Sequence, residues 1–180
     1  PVAAPVGGEH HELRAALEPE FGADDQPQQR LCRSRRHRIP PCRAIRMARG
    51  HTGRHKVLTT YRSYHGSTHG SITMTGDPRR WGSEPGLPGI VKFWGPYTYR
   101  SAFHAQDYAE ECERALQHLA DVIMVEGAGN IAAIVLETVV GTNGILVPPD
   151  GYLAGVREIC DEHGIVFVAD EVMAGFGRCG

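Results

Sequence analysis

The sequence runs to 180 residues, 41% of them hydrophobic, with a formal net charge of −2, which suits one moderate domain or part of a larger one. No apolar run approaches the roughly 20 residues that cross a bilayer, and no basic stretch followed by an apolar one opens the sequence, so neither a membrane span nor a signal peptide is expected. Five scattered cysteines, an odd number, argue for a reducing cytoplasm and against a disulfide framework.

Residues 1–43 differ in texture from the rest. Leu13 to Leu17 begins a short helix that Pro19, Gly22 and Pro27 break. No acidic residue falls between Asp25 and Asp77, while most of the arginines do. The block from Arg30 to Arg43 is dense enough in arginine to suggest nucleic-acid phosphates as partners. It has no aromatic residue for stacking and no apolar stripe, so it reads instead as a solvated or poorly ordered basic arm. Cys32, His37 and Cys42 lack the close cysteine pair of a zinc site.

From Ala44 onward the elements become regular. Ile45 to Gly50 has the form of a last helical turn with a glycine stop. Lys56 to Tyr61 is β-branched and aromatic and predicts a strand, followed by a turn at Tyr64-His65-Gly66-Ser67-Thr68 and a short helix or loop. Asp77 to Pro96, rich in proline and glycine, is expected as a loop anchored by Trp81, Trp94 and Tyr97. Asp107 and Glu110 form a capping box for a helix with Ala109, Cys112, Leu116, Leu119 and Ile123 on its apolar stripe. Gly127 and Gly129 end it.

Ile131 to Glu137 then reads as a buried strand that ends in a carboxylate. A Gly/Pro turn from Gly141 to Pro149 leads to a helix over Tyr152 to His163, with Leu153, Val156 and Cys160 inward and Gly164 as its stop. Ile165 to Ala169 are apolar without interruption and run into Asp170, the pattern of a strand covered on both faces in a parallel sheet. Residues 131–170 thus form a strand–helix–strand unit of an α/β fold. Glu137 and Asp170 emerge on one sheet edge, where such folds place ligands. Asp170 has no obvious salt partner in the sequence and calls for a cationic one.

Two carboxylates on one edge admit general acid–base hydrolysis. A second chemistry fits better. Pyridoxal phosphate needs a carboxylate against its ring nitrogen to keep that nitrogen protonated, a flat aromatic group on one ring face and an apolar residue on the other. Asp170, Tyr64 and Val172 are of those types. The stretches Tyr64-His65-Gly66-Ser67-Thr68, Leu136-Glu137-Thr138 through Gly144-Ile145-Leu146-Val147-Pro148-Pro149, and Ala169-Asp170-Glu171-Val172-Met173-Ala174-Gly175-Phe176-Gly177-Arg178 follow one another in order. From about Ala44 to Gly180 the chain resembles the class III pyridoxal-phosphate aminotransferases, of the ω-amino-acid and 4-aminobutyrate type.

That resemblance implies part of the large domain of a fold-type I transferase over residues 44–180, with a mostly parallel sheet, flanking helices and pyridoxal 5'-phosphate as cofactor. The implied activity is transfer of an amino group from an ω-amino acid or amine to a keto acid, by a homodimer. It also implies that Tyr64 stacks on the cofactor ring, that His65 and Gly66 shape the turn presenting it, and that Glu137 orders the oxygen side. Asp170 would pair with the ring nitrogen and Val172 pack on the opposite face. Met173 stands where many members carry a glutamine. Out of that context Tyr64 is simply a packed tyrosine and Glu137 a helix cap or an arginine's partner. His51, His55, His65 and His69 straddle loops and a strand and do not suggest a metal.

Two departures from the family pattern stand out. The Schiff-base lysine that such enzymes use is expected beyond Gly180, since Lys56 and Lys92 match no family position. On that expectation the 180 residues alone are inactive, and a non-catalytic remnant or a basic-armed binding module is the alternative reading. In addition, Arg38-Ile39-Pro40-Pro41-Cys42-Arg43 occupies the place of a Gly/Ser-rich phosphate-binding turn, which suggests that residues before about Ala44 are out of frame.

Overall fold

The computed structural model describes residue 51 and residues 53–179. The expectations for residues 1–43, including Cys32, His37 and Cys42, and for the helical turn at Ile45 to Gly50 lie outside the described residues. Four strands, β1 (Lys56–Thr60), β2 (Ile90–Phe93), β3 (Ile131–Glu137) and β4 (Val166–Asp170), form one sheet in the order β2-β1-β3-β4. Every pairing in it is parallel. Three helices, α1 (His69–Met74), α2 (Tyr108–Glu126) and α3 (Tyr152–Glu162), accompany the strands.

Strand β3 explains the architecture. Its first six residues are apolar and all are buried, so both faces need cover, and alternate side chains serve alternate faces. Ile134 and Leu136 join Leu58 and Phe93 in a cluster with Ala115, Leu119 and Ile123 of α2 and Val156 and Cys160 of α3. Ala133 and Val135 point the other way, into a cluster with Val57, Val168 and Met74 of α1. Burial pushes the Cys160 thiol up to about 12, which leaves it a packing group rather than a nucleophile.

Several local expectations are corrected. The stretch from Asp77 to Pro96 is not all loop: Pro78–Ser83 is a 3-10 turn and Ile90–Phe93 is strand β2, paired with β1 from Val57↔Ile90 to Thr60↔Phe93. Trp81 is largely exposed. Trp94 does pack, with its ring 4.7 Å from that of Tyr61. Strand β4 is covered less evenly than its apolar run suggests, because it is the outer strand of the described sheet and Val166, Phe167 and Ala169 are only half-buried.

On α2 the capping box is displaced. Asp107 accepts from the Glu110 amide at 2.8 Å, but Glu110 Oε2 accepts from the Gln106 amide at 2.6 Å, one residue before the cap. The buried stripe runs through Glu111, Ala115, Leu119 and Ile123, and Ala109 is exposed. Glu111 is fully buried because the chain leaving β2 needs an acceptor: its Oε1 takes the Tyr97 amide at 2.6 Å.

Where α1 returns to the sheet, the backbones of two elements nearly touch. A Cβ on Gly76 would lie 2.2 Å from the Thr60 carbonyl oxygen and 2.7 Å from Tyr61 Cα. The clash is with main chain, so it cannot be relieved by a rotamer change. Gly76→Ala in the intact protein should lower unfolding stability by about 1–3 kcal/mol. Gly129→Ala, where a Cβ meets nothing within 4 Å, should stay within about 0.5 kcal/mol. Urea midpoints of the two variants check the contrast.

Candidate active site

Because all four strands are parallel, their carboxyl ends share one edge. Glu137 and Asp170 are register partners there, at the last positions of β3 and β4. The turn after β1 completes the edge and is held by its own polar groups. Ser63 Oγ donates to the Thr60 carbonyl at 2.6 Å, the Gly76 amide donates to the Ser63 carbonyl at 2.9 Å, and the His65 amide donates to Thr75 Oγ1 at 3.1 Å. Gly66 has φ of 121°, and a Cβ there would meet Ser71 Oγ at 2.9 Å, so the turn requires glycine.

Glu137 joins two turns. Its Oε1 accepts from the Tyr64 amide at 2.8 Å and its Oε2 from the Gly141 amide at 2.9 Å. One carboxylate thereby fixes the Tyr64 turn against the loop after β3.

Asp170 is 5% exposed. The partner that the sequence did not reveal is His65, whose Nδ1 lies 2.9 Å from Asp170 Oδ2, with the His65 side chain only 1% exposed. His65 is thus buried against the carboxylate as well as belonging to the turn. Asp170 Oδ1 also accepts from the Val172 amide at 3.2 Å. On the far side of the imidazole, Nε2 lies 3.0 Å from Thr59 Oγ1. With Asp170 ionised, the Nδ1 proton donates to it and a neutral ring accepts at Nε2 from the threonine hydroxyl. A chain Thr59–His65–Asp170 results.

The ring of Tyr64 is half-buried. The Arg79 guanidinium lies over it at 4.0 Å from the ring centroid. Arg79 is itself fixed: its Nε donates to Asp77 Oδ2 at 2.8 Å, its amide to Asp77 Oδ1 at 2.9 Å, and its Nη2 both to Asp77 and to Thr142 Oγ1, the latter at 2.7 Å. Burial by itself would raise the Asp77 carboxyl, but the hydrogen bonds from Arg79 and Asn143 hold it below its ordinary value. Val172 is exposed, and Met173 packs under Gly141, where a Cβ would meet Met173 Cγ at 2.5 Å.

Neither lysine of the sequence is offered to this edge. Lys56 Nζ donates to Glu126 Oε2 at 2.6 Å and to the Glu126 carbonyl, and Lys92 Nζ to the Thr73 carbonyl at 2.8 Å. Among the described residues no three His, Cys, Asp or Glu side chains are grouped to hold a metal ion. Sequence reasoning singled out Tyr64, His65, Gly66, Glu137, Asp170 and Val172, which lie at or just beyond one edge of the sheet. It did not single out Thr59, Asp77, Arg79 and Thr142, which contact them or one another. Only the sequence Asp77-Pro78-Arg79, a turn opener beside a cation, pointed toward them.

Residues 41–180 match the class-III aminotransferase family. The chain belongs to that family. Acetylornithine aminotransferase of Corynebacterium efficiens is 36% identical over 129 residues, 72% of this chain and 28% of that protein. The PLP-bound amine transaminase from an uncultivated Pseudomonas species superposes with a TM-score of 0.75 at 33% identity, over 78% of this chain and 32% of that one. Taurine:2-oxoglutarate aminotransferase from Bifidobacterium kashiwanohense, solved with PLP and glutamate, gives a TM-score of 0.69 at 44% identity, again over 78% and 32%. The chain therefore spans about a third of the length of the class-III aminotransferases it matches. The parallel sheet and flanking helices are those of this fold-type I class.

Glu137→Gln tests the bracket between the two turns. A carboxamide offers one acceptor oxygen where the carboxylate offers two, so either Tyr64 or Gly141 loses its partner. Losing a hydrogen bond to a charged acceptor should speed hydrogen exchange of one of those two amides by roughly 10- to 100-fold. Amides inside β3 should be unaffected. Residue-resolved exchange measures it.

Proposed function

We propose that this chain supplies the ring-binding part of a pyridoxal-phosphate site in an aminotransferase that moves an amino group from an ω-amino acid or amine to a keto acid. The observation that carries the reading is Asp170: a buried carboxylate at a strand end, backed by the His65 imidazole at 2.9 Å. When bound, the cofactor supplies an electron sink for the carbon that carries the amine.

The residues fit that group. Asp170 would hold the proton on the pyridine nitrogen, and its charge is maintained by the Nδ1–H of His65. Tyr64 offers an aromatic face, presented by a turn that Gly66 and Glu137 fix. Val172, apolar and exposed, would cover the other side of the ring. Thr59 orients His65 from behind through its 3.0 Å contact. The amine that holds the cofactor is taken from outside these 180 residues, because Lys56 and Lys92 are engaged elsewhere. Pairing of two copies belongs to the same reading, and exposed Tyr99, Ile145, Val147 and Phe176 are consistent with it.

A hydrolytic acid–base pair is less well served by this geometry, since both oxygens of Glu137 are committed to backbone amides. The named relatives act on acetylornithine, taurine and amines, which supports amino-group transfer while leaving the donor open.

Asp170→Asn in the intact enzyme separates the catalytic reading from a remnant or a binding module. The change keeps shape and removes the charge. Cofactor affinity should fall by roughly one to two powers of ten, and turnover by more, because the charge acts chiefly in the transition state. Glu137→Gln should be milder. Turnover within about tenfold of the parent for Asp170→Asn, or a worse Glu137→Gln, would overturn the assignment.

A further inference from the structure

We propose that Arg62 is a positioning residue for Tyr64, which it serves by holding the turn after β1 against the loop after β2 through its contacts with Trp94 and Tyr97. That the turn serves a cofactor ring rests on the aminotransferase reading above. That Arg62 holds the turn does not.

The pairing of β1 with β2 runs out just before this turn. The Tyr61 amide still donates to the Phe93 carbonyl at 2.9 Å, next to the last strand partners, Thr60 and Phe93. Among the described residues no backbone hydrogen bond joins the two connections beyond that point. Arg62 continues the link with its side chain. Its guanidinium carbon lies over the Trp94 ring, 5.1 Å from the centroid, and over the Tyr97 ring at 4.7 Å. Both separations are within the reach at which a guanidinium is attracted to an aromatic face. Among the described residues these two rings are the partners of its charge.

The backbone of Arg62 is a second observation. Its φ is 63°, in the left-handed region that residues with a side chain rarely adopt. Glycine would take that conformation without strain. A strained residue persists where its surroundings hold it, and such positions cluster at functional turns.

The loop that Arg62 grips is anchored in turn to α2. The Tyr97 amide donates to Oε1 of the buried Glu111 at 2.6 Å, and the Trp94 amide to Nε2 of His118 at 3.3 Å. The Trp94 ring also meets that of Tyr61, the residue before Arg62. Helix α2 thus fixes the loop, the loop fixes Arg62, and Tyr64 follows two residues later. Glu137 acts on the Tyr64 amide from β3, so the turn is held from two directions in the fold.

The test uses the intact enzyme with three substitutions at Arg62. Exchange of the Tyr64 amide is read without cofactor, and circular dichroism in the cofactor's absorption band is read with pyridoxal phosphate bound. Arg62→Gln removes the charge and should speed exchange at Tyr64 roughly 5- to 30-fold, the factor that two cation–π contacts carry together. The Gly141 amide, on the other oxygen of Glu137, should change by less than about twofold. Arg62→Lys keeps the charge without the planar group and should fall between the parent and the glutamine variant. Arg62→Gly relieves the left-handed backbone, so its urea midpoint should equal or exceed that of the parent. Its Tyr64 amide should nevertheless exchange as fast as in the glutamine variant. Cofactor-band ellipticity should drop in the two neutral variants and recover in part with lysine. Tyr64 exchange within about twofold of the parent in both neutral variants, or a lysine variant no better than glutamine, overturns the proposal. Faster exchange with unaltered ellipticity overturns it too, since Tyr64 would then not depend on Arg62 for its place at the ring. A parent that shows no cofactor band at all sinks the aminotransferase reading instead, while the exchange rates still decide whether Arg62 holds the turn.

Discussion

The edge of this sheet depends on one carboxylate, both oxygens of which accept backbone amides. Glu137 ends a strand whose preceding six residues are all buried, so its position is fixed by the core. It then accepts the amides of Tyr64 and Gly141, residues on two different turns. A charged acceptor strengthens each bond beyond that of a neutral carbonyl. Core packing is thereby transmitted to two loops.

The second constraint is electrostatic. Asp170 is nearly as buried as the core beside it, and an isolated charge there would be untenable. The fold provides a histidine that is buried with it and a threonine that orients the histidine. An imidazole can serve as either a neutral or a charged donor through Nδ1, so the carboxylate keeps a partner whichever state the ring adopts. What the site gains is a carboxylate held in place by an imidazole and a backbone amide.

Much of this was legible because apolar runs carry their own punctuation. Ile131 to Leu136 ending in Glu137 and Ile165 to Ala169 ending in Asp170 announce two buried strands, and the intervening helix makes them parallel. The structure puts those two carboxylates in register. Strand β2 was hidden because four residues interrupted by Lys92 are too few to show a period. Glu111 stood outside the apolar stripe expected for α2, since an acidic residue is rarely fully buried, and its Oε1 takes the Tyr97 amide there. The His65–Asp170 pair spans 105 residues of sequence and has no local signal. Around Arg79 only the Asp77-Pro78-Arg79 turn is local, and its contact with Thr142 spans 63 residues.

The turn that carries Tyr64 has a consequence for how such a site can diversify. Its polar groups are committed to internal partners: Ser63 Oγ to Thr60, and the amides of Gly76 to Ser63, His65 to Thr75 and Tyr64 to Glu137. With Gly76 pressed against the β1 backbone, the loop has almost no room to change length or path. Sequence drift there is filtered by folding before it can alter ligand choice. Change is left to side chains that project from this frame without holding it, such as exposed Val172. The separation lets one chemical centre persist while its clientele turns over.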